Sequence, residues 1–268
     1  MGDLLLIKLA VTMVAVVGLT LVAERVSTRL AGVLAGFPHG IAIVLYFIGV
    51  EQGADFASRA AGFATAGLGA NVVLAFTYGW LAQRLRGKVP RLGAVAVSAG
   101  GGLAAFLVLA LGLRLIAPGA GLAALLTLAA VGAVRWLLRR WQGVGQAARP
   151  RVGAGELLLR AALAGAIVLL ITGLAAGLGP GWAGLFAGFP VVTFPVLLIM
   201  HIRHGAAPVA AIVRHYPFGI LSLLVFTLTV RWSFAALGMG WGVLAGLAAA
   251  ALYLAVAGGL QQGGRRAG

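Results

Sequence analysis

Nine runs of about twenty apolar residues follow one another along this chain, at about 4–23, 31–50, 60–82, 93–113, 119–138, 157–178, 183–202, 210–230 and 239–259. A run of that length, wound as a helix at about 1.5 Å per residue, reaches across the hydrocarbon of a bilayer. No soluble core needs nine of them. Hydrophobic residues make up 62% of the 268 and charged residues only 9%, where a soluble domain carries roughly a quarter. Too few polar side chains remain to cover a water-facing surface. That excludes a soluble enzyme and a disordered chain, and the absence of cysteine excludes a disulfide-built domain. The expected class is an all-α polytopic membrane protein of about nine transmembrane helices. The first run lacks a basic leader and a small-residue cleavage site, so it reads as a span and not as a cleaved signal.

The net charge is +15, from twenty basic and five acidic residues. In a soluble protein that excess would suggest nucleic acid. Here the basic residues crowd two loops, Arg84 to Arg91 and Arg139 to Arg151, and cytoplasmic loops of membrane proteins are basic. Both loops follow odd-numbered spans and so share one face, which is then the cytoplasmic one. The N-terminus, Glu51 and Asp55 fall outside. Arg203 and the C-terminus fall inside, with Arg114 and Arg231 as outside exceptions. No basic-aromatic groove for single strands is present, so no nucleic-acid partner is expected. None of the acids Asp3, Glu24, Glu51, Asp55 and Glu156 sits centrally in an apolar run, which argues against a cation pump built on buried carboxylates.

The most specific pattern is an internal repeat. Ala31-Gly-Val-Leu-Ala-Gly-Phe-Pro38 matches Ala183-Gly-Leu-Phe-Ala-Gly-Phe-Pro190 at an offset of 152. The same offset, without a gap, pairs Lys8 with Arg160, Thr20 with Thr172, Gly53-Ala54 with Gly205-Ala206, and Trp80 with Trp232. Across residues 5–80, 20 of 76 positions are identical. The copies begin at spans 1 and 6. Five spans separate them, an odd number, so the copies cross the membrane in opposite directions. Inverted repeats are a common plan for secondary transporters. The expected organisation is a first repeat over 1–115, a connector over 116–152 with span 5 and an arginine-rich loop, and a second repeat over 153–268.

Each repeated motif holds Gly-x-x-x-Gly, Gly32 to Gly36 and Gly184 to Gly188, a spacing that lets helices approach closely. Each ends in Gly-Phe-Pro. Proline inside a helix removes a hydrogen bond and disfavours helix just before it, but suits the first position of a new helix. Gly36-Phe37-Pro38 and Gly188-Phe189-Pro190 are therefore expected to break spans 2 and 7. Pro38 and Pro190 lie about 11 Å into their spans from opposite faces, so the breaks approach the midplane together. Backbone there must be buried in protein or line a cavity. Two readings are open: packing kinks, or paired half-helix N-termini whose free amides hold an anion.

His39 begins the first half-helix and is the candidate substrate or proton contact, with Thr193 the weaker counterpart. Glu51, Asn71, His201, Arg214 and His215 are candidates for gating or coupling. Asn71, in mid-span, needs a partner, and interhelical bonding is the usual reason for such a residue. His201 and His204 have helical spacing for a metal pair, but no third ligand is near, so no metal site or cofactor is expected. Arg214 and His215 suit the inner interface, where long basic side chains reach toward the headgroups.

The pattern Ala31-Gly32 to Phe37-Pro38, followed by Tyr46, Gly49, Glu51 and Gly53, resembles the small GlpM-like inner-membrane proteins. The second copy keeps Ala183-Gly184, Phe189-Pro190 and Gly205 but loses the tyrosine and glutamate. The resemblance covers two stretches of about 23 residues and implies a fused, diverged duplication and a bacterial inner-membrane location. It carries over no activity and no functional residues. The expected function is alternating-access transport of a small anionic solute or a lipid phosphate. The alternative is a non-catalytic subunit or scaffold. Halves of such repeats can also cross-pair in a homodimer. No nucleophile-base pair, phosphate loop or metal set suggests an enzyme.

Overall fold

The computed structural model describes residues 2–25, 36–141 and 153–266. Residues 31–35 of the first motif, with Gly32, and the basic loop residues Arg149 and Arg151 lie outside the described residues. Among the described residues every regular element is a helix: α1 Gly2–Arg25, α2 His39–Gln52, α3 Ala54–Leu85, α4 Arg91–Ile116, α5 Ala120–Leu138, α6 Ala154–Ala187, α7 Thr193–His204 and α8 Ala206–Arg266. Six of them are long and apolar enough to cross a membrane. The protein is thus an all-α membrane protein.

Helix α3 forms the centre and packs against α4, α5, α6 and α8. Its sequence explains this. Alanine and glycine recur along its 32 residues, and small side chains let neighbouring backbones come close on several sides at once. The faces left over are apolar. Leu6 and Val14 of α1, Val108 of α4 and Leu125 of α5 are exposed, the arrangement suited to a hydrocarbon solvent. Helices α3 and α8 run antiparallel along their shared length. Their partners rise on one as they fall on the other: Ser58 with Arg231, Thr65 with Thr227, Asn71 with Tyr216 and Gln83 with Ala206.

The described helices differ from the nine separate ones expected. The boundary between the runs at 157–178 and 183–202 is a kink and not a loop. Helix α6 continues to Ala187 and bends at Gly179, where φ is 72°, just before Pro180. The runs at 210–230 and 239–259 are joined in α8 through Gly238, where φ is 75°. A glycine in this left-handed region turns the axis in one residue, so no polar loop marks the change in the sequence. Helix α2 has 14 residues, too few to span. It follows the non-helical Phe37-Pro38, and α7 follows turns at residues 188–192.

Candidate functional site: two helix breaks and two buried ion pairs

Both breaks are built by the same local chemistry. Proline has no amide hydrogen to donate, so the chain turns around it with short-range bonds. In the first break the His39 N–H donates to Phe37 O at 2.9 Å and the Ala42 N–H to Pro38 O at 3.0 Å. In the second, Val191 N–H donates to Phe189 O at 2.8 Å and Phe194 N–H to Pro190 O at 2.8 Å. Each atom has its counterpart 152 residues on. The following helices α2 and α7 start without a side-chain cap. The breaks meet: a Cβ placed on Gly40 would lie 3.1 Å from Val192 Cγ2, and residues 40 and 192 are themselves counterparts.

Two backbone carbonyls at the breaks are met from the opposite half of the chain. The Asn71 side-chain amide on α3 donates to Gly188 O at 2.8 Å, and the Ser222 hydroxyl on α8 donates to Gly36 O. Gly36 and Gly188 are counterparts, and the donors are one position out of register. Glycines make room for these approaches. A Cβ on Gly188 would lie 2.8 Å from the Gly67 carbonyl carbon, and one on Gly219 would lie 3.4 Å from Gly36 Cα. Gly67 and Gly219 are again 152 apart.

The surroundings of the breaks are not alike. Tyr216 donates from its hydroxyl to Asn71 Oδ1 at 2.7 Å and also reaches Thr193. This gives the second break a polar network of Asn71, Tyr216 and Thr193. Phe189 stacks edge-on against Phe106 and Phe194, with ring centroids 5.3 and 5.4 Å apart. On the first break Phe37 and His39 instead line an apolar groove of about 350 Å³, closed by Val11 and Leu19 of α1, Tyr46 of α2, and Val243 of α8. The His39 Nδ1 lies 3.0 Å from Phe37 O, which fixes the ring at the start of α2.

Two ion-pair clusters, each with a buried cation and a partner nearer the surface, accompany the breaks. Lys8 is 1% exposed; its ammonium lies 2.7 Å from the Glu51 carboxylate and donates to Thr172 Oγ1 at 2.8 Å. Arg160 and Glu156 pair one turn apart on α6, 8% and 4% exposed, and Arg203 approaches the same carboxylate at 4.0 Å. Positions 8 and 160 are counterparts, as are 51 and 203. The clusters occupy different levels. Lys8 stands level with Thr172, twelve residues along α6 from Arg160, which is about 18 Å of helix rise. Sequence reading aligned Lys8 with Arg160 but drew neither cluster. It placed Glu51 outside and made it a candidate for gating or coupling, without a partner. The available signal was a lysine and an arginine at equal depth in two apolar runs, since a buried cation demands a partner.

The remaining candidates separate. His201 is buried beside Tyr78, whose hydroxyl lies 3.3 Å from Nδ1, so it belongs to the packing of α7 on α3. Arg214 and His215 are exposed on α8. Among the described residues no cluster of three metal-ligating side chains exists. No protein-family model, curated protein or solved structure matches this chain.

Proposed function

We propose that this chain is an alternating-access membrane transporter whose substrate is an anion, a small solute or a lipid phosphate, held between the two Gly-Phe-Pro breaks. The observation that carries the reading is the meeting of Gly40 with Val192 between two turns of matching hydrogen bonds. In this reading residues 1–115 and 153–268 are inverted repeats, residues 116–152 connect them, and the nine expected spans count each bent helix as two and take the second part of α6 with α7 as one broken span. Antiparallel α3 and α8, 152 residues apart, support it. The sequence resemblance to GlpM-like proteins adds the reading of a fused duplication in a bacterial inner membrane, N-terminus outside and C-terminus cytoplasmic.

Transport then proceeds by rocking one repeat against the other. The Lys8–Glu51 cluster closes one end and the Glu156–Arg160–Arg203 cluster the other. Breaking a buried ion pair is costly unless the charges regain water, so each cluster opens only when its end hydrates. The apolar groove beside His39 favours a substrate with a hydrocarbon portion, which places the lipid phosphate ahead of a small solute.

The native chain has no cysteine, so single cysteines at Phe37, His39, Phe189 and Val192 report on access directly. Membrane-impermeant thiol reagents are expected to label these sites from one side, and an added anionic lysophospholipid changes the rate. Absence of labelling from both sides, with and without the lipid, removes the reading. It would favour the second one, a scaffold subunit without transport. The sealed carbonyls of Gly36 and Gly188 support that alternative.

A further inference from the structure

A second cleft lies away from the breaks, between α5 and α8, with a volume of about 390 Å³. One face of α5 forms its floor. Leu128, Gly132, Arg135 and Arg139 follow one another at helical spacing, and residues three and four apart share a face. Leu221 of α8 forms the opposite wall. Both arginines are exposed, and among the described residues neither makes an ion pair. Arg135 lies over the Phe218 ring of α8 at 4.4 Å, and Trp136 carries Arg140 at 4.4 Å.

Depth sorts these groups. Helix α5 has 19 residues, about 28 Å of rise, close to the hydrocarbon thickness. Arg135 and Arg139 sit at its last turn, level with the headgroups, where an exposed tryptophan also belongs. Gly132 is about 4.5 Å deeper than Arg135 and Leu128 about 10 Å deeper. A cation pair at the phosphate level therefore stands directly above an apolar notch. A Cβ on Gly132 would meet nothing within 4 Å, so the notch is open at the level where a glycerol backbone passes into its acyl chains.

We propose that this cleft is a binding site for an anionic phospholipid, with the phosphate between Arg135 and Arg139 and an acyl chain along Gly132, Leu128 and Leu221. The site stands apart from the helix breaks and does not depend on the transport reading. Its two walls come from α5 and from α8, so the bound lipid ties these two helices together.

The test is native mass spectrometry of the full chain, released from micelles doped with phosphatidylglycerol or with phosphatidylcholine of the same chains. Basic residues near a membrane surface attract anionic lipid, and two arginines are expected to give roughly a thirty-fold preference. Retention of one phosphatidylglycerol is expected, lost in Arg135→Gln/Arg139→Gln and kept in Arg86→Gln/Lys88→Gln, which removes the same charge elsewhere. Gly132→Phe fills the notch without touching charge and is expected to lose the lipid too, with an unchanged thermal melt. Equal loss in both charge variants, or retention in Gly132→Phe, overturns the proposal. So does displacement of the lipid by millimolar inorganic phosphate or glycerol phosphate, which would assign the arginines to a free anion.

Discussion

Lys8 shows how one residue type constrains a membrane fold. An ammonium that is 1% exposed among apolar helices is tolerated only because Glu51 and Thr172 satisfy it. Removing one partner strands the other, whereas removing both leaves an apolar contact. Glu51→Gln is therefore expected to lower stability by about 1–3 kcal/mol, less than for a fully buried pair because the carboxylate is 23% exposed on its side chain. Lys8→Met/Glu51→Gln recovers most of that loss. Reversible unfolding in mixed micelles measures both, and additive losses would show that the pair is not coupled. Asn71 is the second case. Asn71→Leu leaves Gly188 O and the Tyr216 hydroxyl without their partner, and interhelical bonds of this kind are worth about 0.6–1.7 kcal/mol. The same unfolding assay should show a loss in that range, smaller in Asn71→Gln.

At the scale of elements, glycine contacts decide how closely the broken helices sit on their neighbours. Gly188 packs backbone to backbone on Gly67, and a methyl group there would lie 2.8 Å from a carbonyl carbon. Gly188→Ala is expected to cost about 1–3 kcal/mol by overpacking. The counterpart contact is looser, 3.4 Å from a Cβ on Gly219 to Gly36 Cα, and Gly219→Ala should fall within about 0.5 kcal/mol of the parent. Equal effects at both positions would contradict the packing described. The breaks themselves were legible in the sequence because Gly-Phe-Pro combines a residue that ends helices with one that starts them. The bends at Gly179 and Gly238 fall in the short gaps between expected spans, so their places were legible. That helix would run on through each glycine, and not give way to a loop, was not, because a glycine reads the same whether φ is helical or positive. The first ion pair was missed for a similar reason. Lys8 and Glu51 lie 43 residues apart, and nothing local in either helix announces the other.

For the whole molecule, the proposed cycle requires the two buried clusters to open alternately. Weakening one should bias the protein toward hydration at that end. In a chain with a single cysteine at position 39, Glu51→Gln is expected to raise labelling from the side of Glu51 several-fold. Arg160→Gln should lower it, since that variant loosens the opposite end. Identical changes from both variants would mean general loosening and would count against alternation. The groove beside His39 and the cleft below Arg135 share no lining residue, so lipid retained at the second should leave labelling at the first unaltered. One contact bears on how such a cycle could run. Gly40 lies against its own counterpart, Val192, and in the proposed inverted repeat a point shared by two halves related by a half-turn lies on the axis that relates them. When the halves swing, such a point is the fulcrum. Cargo resting against it would stay put while the walls on either side exchanged places.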